Sequence, residues 1–205
     1  MQIDFLNLTL IITTFLWLTS LGYLFFSFIA LELFKYKKNK SVISGNFSPP
    51  VTILKPIYGL DPDMLNCLRS FCQQDYPKFQ VIFGLQDEKD PAIPLVKKVV
   101  GEFSNCDISF IINTELHGTN HKVSNLINMN PYIKYEYLLI ADSDMRVSQN
   151  YLSQVMEPFS DEKVGVITCL YSGRCTGKIT SKLNAMFINT WFLPSVLISR
   201  ILQPM

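Results

Sequence analysis

The stretch that decides the fold reads Tyr137-Leu138-Leu139-Ile140-Ala141-Asp142-Ser143-Asp144. Its first five residues are mostly apolar, and a short unbroken apolar run is typical of a parallel strand that is buried on both faces. The run stops at two carboxylates, those of Asp142 and Asp144. Because a loop at the carboxyl end of a parallel strand faces the ligand crevice of an open α/β sheet, both carboxylates are predicted to lie at a binding edge.

Two carboxylates at such an edge indicate a possible metal site. Mg²⁺ and Mn²⁺ prefer hard oxygen ligands, and such ions are typically held by one or two carboxylates together with substrate phosphates. Asp142 and Asp144 therefore predict a metal-assisted site for a nucleotide diphosphate. On spacing alone, the alternative stays open that the two residues merely begin a turn before the next helix.

The composition limits the classes of protein to which the chain can belong. A chain of 205 residues allows one domain and an appendage, and 48% of the residues are hydrophobic, with much of that excess near the amino end. The net charge of +1 gives no indication of a nucleic-acid partner. The five cysteines form no C-x-x-C pair, and an odd number without zinc-site spacing indicates reduced thiols in a cytosolic compartment.

The amino-terminal segment is predicted to be a membrane anchor. No charged residue occurs between Phe5 and Leu31, and about 20 apolar residues are enough to cross a bilayer. A cleaved signal peptide would begin with basic residues and would have a shorter apolar run. Lysines follow the span at positions 35, 37, 38 and 40. The positive-inside rule therefore predicts that the rest of the chain lies on the cytoplasmic side.

These features predict four segments. Residues 1–34 form the anchor, and residues 35–50 form a basic and polar linker that ends in two prolines. Residues 51–180 form the main domain, and residues 181–205 form an apolar segment. We interpret the last segment either as an amphipathic helix at the membrane interface, interrupted at Pro194, or as an ordinary core helix.

Apolar runs alternate with helical patterns along the main domain. Five strands are predicted, over residues 51–54, 80–85, 108–112, 137–141 and 164–170. Asp61-Pro62 and Asp90-Pro91 each fit a helix N-cap followed by proline at the first helical position. Strands that alternate with helices imply right-handed crossovers and a mostly parallel sheet with flanking helices.

Acidic residues follow two of the predicted strands. Asp87 follows the second strand, and Asp142 and Asp144 follow the fourth. Because the carboxyl ends of parallel strands open on the same edge, these groups could converge on one ligand. For Asp87 by itself, the alternative of a loop cap within the acidic run 87–90 stays open.

Lys122 and Asn125 are spaced i, i+3 and would share one face of a helix. Near the strand ends they could hold a phosphate or a base, although Lys122 could also be a solvated charge. Lys55 lies at the end of the first strand and could simply be exposed. His117 and His121, with a lysine beside them, are a poor set of metal ligands.

Four blocks of sequence carry a resemblance to a known family: Leu54–Pro62, Gln86–Asp87 with Asp90–Ile93, Gly118–Leu126, and Asp142–Val147. In this order and at these intervals, the chain resembles membrane-anchored glycosyltransferases of GT-A fold in the broad family-2 group. It looks closest to the ceramide glucosyltransferase branch, family 21, and to the related bacterial hopanoid glucosaminyltransferases. The resemblance covers Val51 to about Pro194 and implies a Rossmann-like, mostly parallel sheet preceded by one transmembrane helix.

The resemblance also implies roles for the site residues. The donor nucleotide would be bound by Lys55, Pro56, Asp87, Lys122, Asn125 and Asp142. Lys55 and Pro56 would wall the base pocket, which Asp87 would face. Asp144 would hold a divalent cation, Mg²⁺ or Mn²⁺, and that cation would stabilise the charge on the leaving diphosphate as a Lewis acid.

The implied activity is an inverting transfer of glucose or N-acetylglucosamine from a UDP-sugar to a lipid hydroxyl of the ceramide or hopanoid kind. The expected location is the cytoplasmic side of a membrane, such as the bacterial inner membrane. The family's general-base aspartate and its (Q/R)-x-x-R-W block are not found before Met205. The chain therefore looks like the donor-binding half of an enzyme.

Two alternatives to this activity stay open. One is a truncated remnant that binds the donor or a partner without turnover. The other is an aspartate-nucleophile phosphatase, because a strand that ends in D-x-D also serves that chemistry. Such phosphatases place the motif on an early strand and typically have threonine or valine two residues later, where this chain has Arg146.

Overall fold

The computed structural model describes residues 5–40 and 47–202, and for residues 37–40 it describes the backbone only. The chain divides into two compact units: Ile43–Ile167, and Met1–Val42 together with Thr168–Met205. Much of the predicted linker, residues 41–46, lies outside the described residues, as do residues 203–205. The division between the units falls earlier than the boundary predicted at residue 180.

A four-stranded, wholly parallel sheet forms the centre of the Ile43–Ile167 unit. The strands are β1 (Val51–Pro56), β2 (Phe79–Leu85), β3 (Asp107–Ile112) and β4 (Tyr137–Ile140). They lie in the order β3-β2-β1-β4. Both faces of β1 and nearly all of β2 are buried, which explains why their sequences are mostly apolar rather than alternating. The predicted parallel α/β sheet is confirmed.

Helices cover both faces of this sheet. They are α2 (Met64–Cys72), α3 (Ile93–Glu102), α4 (His121–Met129) and α5 (Tyr151–Met156). One core joins α2, α3 and α5 to strand residues such as Ile53 and Val81. The second core joins α4 to Leu54 and Ile82 on the opposite face. Residues 53 and 54 are in register with residues 81 and 82. Because successive side chains of a strand point to opposite faces of the sheet, neighbouring residues pack alternately into the two cores.

The direction of winding reverses beside β1. Strand β2 lies on one side of β1, and β4, which is reached last along the chain, lies on the other. In an open parallel sheet, ligands bind outside the carboxyl ends of the strands at such a reversal. The crevice therefore opens between the end of β1 at Pro56 and the end of β4 at Ile140.

The prediction that β4 is buried on both faces is wrong. Leu139 is 7% exposed, but Leu138 and Ile140 are 49% and 56% exposed. The reason is that β4 is an edge strand, and α4 packs over β1 and β2. The apolar run therefore predicted correctly that this segment is a strand, but it did not predict that only one face of the strand is buried.

The strand predicted over residues 164–170 is also wrong. These residues adopt no regular structure, and Val166 is 84% exposed. An extended apolar segment becomes a strand only when a neighbouring edge satisfies its backbone groups. Within residues 47–202 this segment pairs with no strand, and the division between the two units falls inside it.

Both helices expected after Asp-Pro pairs begin two residues later than predicted. Helix α2 begins at Met64 and α3 at Ile93. The N-cap position of α2 is Asp63 rather than Asp61, whose carboxylate accepts a hydrogen bond from the hydroxyl of Ser143 at 2.7 Å. Asp90 accepts from the Ala92 amide at 2.8 Å and so closes the turn before α3.

The second unit contains α1 (Phe5–Lys40), α6 (Ile179–Phe187) and α7 (Leu193–Leu202). Helix α1 packs against α7. The ring of Tyr23 stacks on that of Trp191 with their centroids 5.2 Å apart. The hydroxyl of Tyr23 also donates to the Trp191 carbonyl oxygen at 3.1 Å.

The interruption predicted at Pro194 takes the form of a π-helical turn over Ile188–Phe192. The Leu193 amide donates to the carbonyl oxygen of Ile188, five residues earlier. Proline lacks an N–H and its ring clashes with the carbonyl four residues before it, so one wider turn is a common way to accommodate it. The result is a bent but continuous helical segment.

Two described helices are long and apolar enough to cross a membrane, Phe5–Tyr36 and Ile179–Leu202. The second is not an ordinary core helix in the described unit, because its large side chains are mostly exposed; Ile179 is 76% and Leu202 is 74% exposed. Exposed apolar surface of this extent suggests association with a membrane. A second candidate span thus adds to the single anchor predicted from the sequence.

Candidate functional site

The candidate site is the loop Asp142–Asp144, where the chain leaves β4 and enters the crevice. The side chain of Asp142 is 56% exposed. Asp144 is also exposed, and its carboxylate makes no hydrogen bond or ion pair with another residue of the described ranges. The loop therefore presents two carboxylates to solvent at the point where the sheet topology places a ligand.

Lys55 lies beneath this loop. Its side chain is fully buried, and Nζ donates to the backbone carbonyl oxygen of Asp142 at 2.7 Å. The same ammonium lies 3.8 Å from the centroid of the Phe71 ring. Burial lowers the pKa of Lys55 from its ordinary value of 10.5 to about 7, although nearby Cys67 and the carboxylates of Asp144 and Asp142 act in the opposite direction.

Two further contacts hold the loop from the same side. Ser143 donates its hydroxyl to Asp61, as described above. The thiol of Cys67, in the first turn of α2, donates to the carbonyl oxygen of Asp144 at 3.3 Å. Burial raises the pKa of the Cys67 thiol, so this group stays protonated and can donate. The sequence motifs gave no signal for Asp61 or Cys67 as site residues.

The two residues predicted to wall a base pocket are both buried. Pro56 is in register with Gly84 at the end of β2, and Lys55 points under the loop. Neither side chain therefore presents its surface to the crevice. An aromatic residue that is exposed near this end of β1 is Tyr58, which is 86% exposed in the turn that follows the strand. An exposed aromatic between Pro56 and Gly59 is the sequence signal that could have identified it.

Asp87 lies at the same edge of the sheet as the loop Asp142–Asp144. It follows the end of β2, and β1 lies between β2 and β4. Because neighbouring strands are about 4.8 Å apart, the ends of β2 and β4 are about 10 Å apart. Asp87 accepts a hydrogen bond from the Lys89 amide at 2.8 Å, so the loop cap is present, yet its side chain remains exposed.

Lys122 faces the loop from the first turn of α4. Its ammonium forms an ion pair with the carboxylate of Asp142, and both side chains are about half exposed. The side chain of Asn120 caps this helix by accepting from the Val123 amide at 3.1 Å. A capped helix N-terminus carries partial positive charge, so α4 adds to the attraction of this edge for an anion.

Asn125 does not share the exposed position of Lys122. It is 4% exposed, and its Nδ2 donates to the carbonyl oxygen of Gly84 at 2.8 Å. Its Oδ1 has no hydrogen-bond partner among the described residues. A Cβ on Gly84 would lie 2.5 Å from this Oδ1 and from Sδ of Met129. The glycine is therefore required where α4 lies close against β2.

The loop fits a divalent cation that is shared with phosphate. No group of three His, Cys, Asp or Glu side chains meets within the described part of the chain, so the protein does not offer a complete cage. Mg²⁺ and Mn²⁺ do not need one when phosphate oxygens and water supply the other ligands. Asp144 has both oxygens free for such an ion, whereas Oδ1 of Asp142 is paired with Lys122.

A separate polar cleft of about 490 Å³ lies between α2 and the residues that follow Asp144. It contains two arginines, but Arg69 is paired with Glu102 at 2.6 Å. Arg146 lies 3.6 Å from the carboxylate of Asp63. Because both cations already have acidic neighbours, this cleft is a poorer place for a diphosphate than the crevice beside β4.

Comparisons with known proteins place the chain in context. The family model described as Glycosyl transferase family 21 matches residues 12–204. The ceramide glucosyltransferase of Komagataella phaffii is 34% identical over 127 residues, which are 60% of this chain and 25% of that protein. Ceramide glucosyltransferase 3 of Caenorhabditis elegans is 28% identical over 141 residues, or 68% of this chain and 31% of that protein. The chain thus spans about a quarter to a third of these relatives.

A solved structure has a similar fold. The mannosyltransferase PcManGT from Pyrobaculum calidifontis, in complex with GDP-Man and Mn²⁺, matches with a TM-score of 0.56 and 20% identity. The match covers 76% of this chain and 47% of that one. At this identity the likeness establishes the fold alone. The GT-A-type sheet predicted from the sequence is thereby confirmed.

Proposed function

Because the chain belongs to Glycosyl transferase family 21, we propose that its Ile43–Ile167 unit binds the UDP-sugar donor of a lipid glycosylation reaction. The observation that carries this proposal is the loop Asp142–Asp144, which presents two carboxylates at the reversal point of a parallel sheet and opposite Lys122. The sugar is of the glucose or N-acetylglucosamine class, and the acceptor is a lipid hydroxyl of the ceramide kind.

The chemistry of the loop supports a diphosphate as its ligand. Asp144 would hold a divalent cation, and such a cation neutralises the negative charge that grows on a departing diphosphate. Lys122 has the reach and the charge to contact a phosphate oxygen, and the capped N-terminus of α4 adds to its attraction. Asp142 would then turn from Lys122 toward the ribose or the cation.

The base would lie toward β2. Asp87 is exposed at that end of the crevice and can accept hydrogen bonds from a nucleobase. The exposed ring of Tyr58 lies on the turn between β1 and α2 and offers a stacking surface. We assign no general base to a residue of this chain, so the proposal concerns donor binding first and turnover second.

The membrane-associated unit supports a lipid acceptor. Its apolar helices, Phe5–Tyr36 and Ile179–Leu202, would keep the chain at a bilayer, where a lipid hydroxyl is concentrated. The lysines at positions 35, 37, 38 and 40, at the carboxyl end of α1, support a location of the donor-binding unit on the cytoplasmic side.

Donor binding can be tested by calorimetric titration of UDP into the full chain in detergent micelles with Mn²⁺ present. We expect saturable binding by the natural sequence and, for Asp144→Asn, a loss of affinity of roughly tenfold or more. Asp107→Asn is the matched control, because Asp107 is a carboxylate at the opposite edge of the sheet, paired with Lys134. Equal affinities for the natural sequence and Asp144→Asn, or no binding by either, would contradict the proposal.

Turnover is a separate question from binding. Release of UDP from UDP-glucose or UDP-N-acetylglucosamine can be measured with ceramide in mixed micelles. Release that depends on both the lipid and Asp144 would establish a transferase. Binding of UDP with Mn²⁺ but no release would instead favour a donor-binding protein without activity in this chain.

A further inference from the structure

Lys55 occupies an unusual position for a lysine. It is fully buried at the end of β1, and its one hydrogen-bond acceptor among the described residues is the carbonyl oxygen of Asp142. A buried amine is costly to charge when no carboxylate is in contact with it, and groups perturbed in this way are common at functional sites. The ring of Phe71, 3.8 Å away, replaces part of the lost hydration.

We infer that Lys55 is a positioning residue, which fixes the backbone of the loop Asp142–Asp144 so that its two carboxylates point into the crevice. The inference rests on the proposed function for what the loop binds, but not for the contact itself. Lys55 does not reach the crevice, so it acts through the loop rather than by touching a ligand.

The pairing of β1 with β4 explains why a side chain is needed here. The ladder between these strands ends where the Ala141 amide donates to the Leu54 carbonyl oxygen at 3.1 Å. It cannot continue in the same way, because Pro56 has no N–H to offer to β4. The ammonium of Lys55 supplies a donor just beyond this point, at Asp142. The loop thus receives a side-chain donor where the strand can no longer supply a backbone one.

The other two loop residues are held in a consistent way. Asp61 accepts from the Ser143 hydroxyl, and Cys67 donates to the Asp144 carbonyl oxygen. A thiol is a weak donor and the Ser143 hydroxyl is uncharged, whereas the amine of Lys55 lies on a fully buried side chain and, when protonated, donates as a cation. Lys55 is therefore expected to provide most of the restraint.

The test compares two variants of the full chain in detergent micelles. Lys55→Met removes the ammonium and keeps an unbranched side chain of similar size. Gln80→Met is the matched control: Gln80 is equally buried, in the adjacent strand β2, but it donates to the Tyr132 carbonyl near the other end of the sheet. Two quantities are measured: the affinity for UDP with and without Mn²⁺, and the exchange of backbone amide hydrogens in peptides spanning residues 142–148.

For Lys55→Met we expect the Mn²⁺-dependent affinity for UDP to fall by roughly tenfold, in line with other groups that support a metal ligand from behind. We expect amide exchange in residues 142–148 to become faster while exchange in β2 stays unchanged. Gln80→Met should keep the natural affinity and the natural exchange of this loop. A purely structural role for Lys55 would instead make the two variants behave alike.

The inference is overturned if Lys55→Met binds UDP with Mn²⁺ as the natural sequence does, or if Gln80→Met loses as much. Should the natural sequence bind no UDP with Mn²⁺, the proposed function fails, and the exchange of residues 142–148 alone decides the role of Lys55. If Lys55→Met does not fold, Lys55→Gln is used instead. Its shorter side chain does not reach the Asp142 carbonyl oxygen as Lys55 does, so faster exchange of residues 142–148 is expected, and unchanged exchange overturns the inference.

Discussion

The close approach of α4 to the sheet depends on a single missing side chain. Gly84 has no Cβ, and the amide of Asn125 occupies the space that a Cβ would need. The contact holds the helix that carries Lys122, although neither Gly84 nor Asn125 reaches the crevice. Gly84, inside the sheet, thus helps to determine the position of the Lys122 side chain at the edge of the sheet.

We expect Gly84→Ala to lower the free energy of unfolding by about 1–3 kcal/mol, because overpacking forces α4 away from β2. Gly101→Ala is the matched control: a Cβ there meets nothing within 4 Å, and alanine in α3 should stabilise the chain by about 0.5–1 kcal/mol. Both tryptophans lie outside the Ile43–Ile167 unit, so unfolding is best followed by labelling of buried Cys72 in increasing denaturant. Unchanged protection of Cys72 in Gly84→Ala would contradict this account.

For individual residues, the sequence predicts which side chains lie at the candidate site better than it predicts which way those side chains point. That Asp142 and Asp144 end a strand follows from the apolar run before them. The burial of Lys55 does not follow, because an apolar strand gives no sign that its last charged residue turns under a neighbouring loop. The roles of the site residues toward a nucleotide remain predictions, since they depend on a ligand rather than on the fold.

Among the helices and strands, α4 is the one on which the site depends most. It presents Lys122 to the loop, and its N-terminus is capped by a side chain, that of Asn120. The other helices that cover the sheet, α2, α3 and α5, have no side-chain cap at the N-cap position. The cap thus stabilises the end of the helix that faces the proposed diphosphate.

We expect Asn120→Ala to cost about 1 kcal/mol of stability, concentrated in the first turn of α4, whereas Asn120→Ser should keep most of it. Amide hydrogen exchange measures this directly, with α3 as the internal reference. Exchange in residues 121–125 should become faster in the alanine variant alone. If both variants exchange alike, the hydrogen bond to Val123 does not stabilise the helix.

Elements with strong periodicity were predictable, and those that depend on distant partners were not. The four paired strands lie close to their predicted positions, because burial on a parallel sheet imposes long apolar runs. The run at 164–170 has the same composition, yet it lacks a partner edge in the described chain. Pairing, unlike propensity, is a property of two segments and cannot be read from one.

For the molecule as a whole, the sequence separates a continuous apolar segment from a part in which strand and helix patterns alternate. The apolar run before residue 34 and the alternating pattern after residue 51 are different in kind, and the two compact units reflect that difference. The return of the chain to the first unit at Thr168 was not predicted. It depends on contacts such as that between Tyr23 and Trp191, which are far apart along the chain.

Within the described residues, β4 has a neighbouring strand on one side only, and this open edge predicts how the whole chain behaves in solution. Leu138 and Ile140 are half exposed on a strand with an open side, a combination that promotes pairing between molecules. We expect concentration-dependent association in detergent micelles, measured by analytical ultracentrifugation, and a shift toward monomer in Leu138→Lys. Val166→Lys, at an exposed position outside any strand, should not change it. A natural sequence that stays monomeric at every concentration would contradict this expectation.

If the open edge of β4 promotes association between molecules, it also indicates how the protein would pack in a crystal. Two copies related by a two-fold axis could align β4 against β4 with the strands running in opposite directions, and one molecule's sheet would continue into the next. The antiparallel pairing at the centre of this mixed sheet would be a contact between two molecules in the crystal and not a feature of the fold of one chain. A continuous sheet of this kind in a crystal would show the open edge of β4 paired with the same edge of a second, symmetry-related molecule.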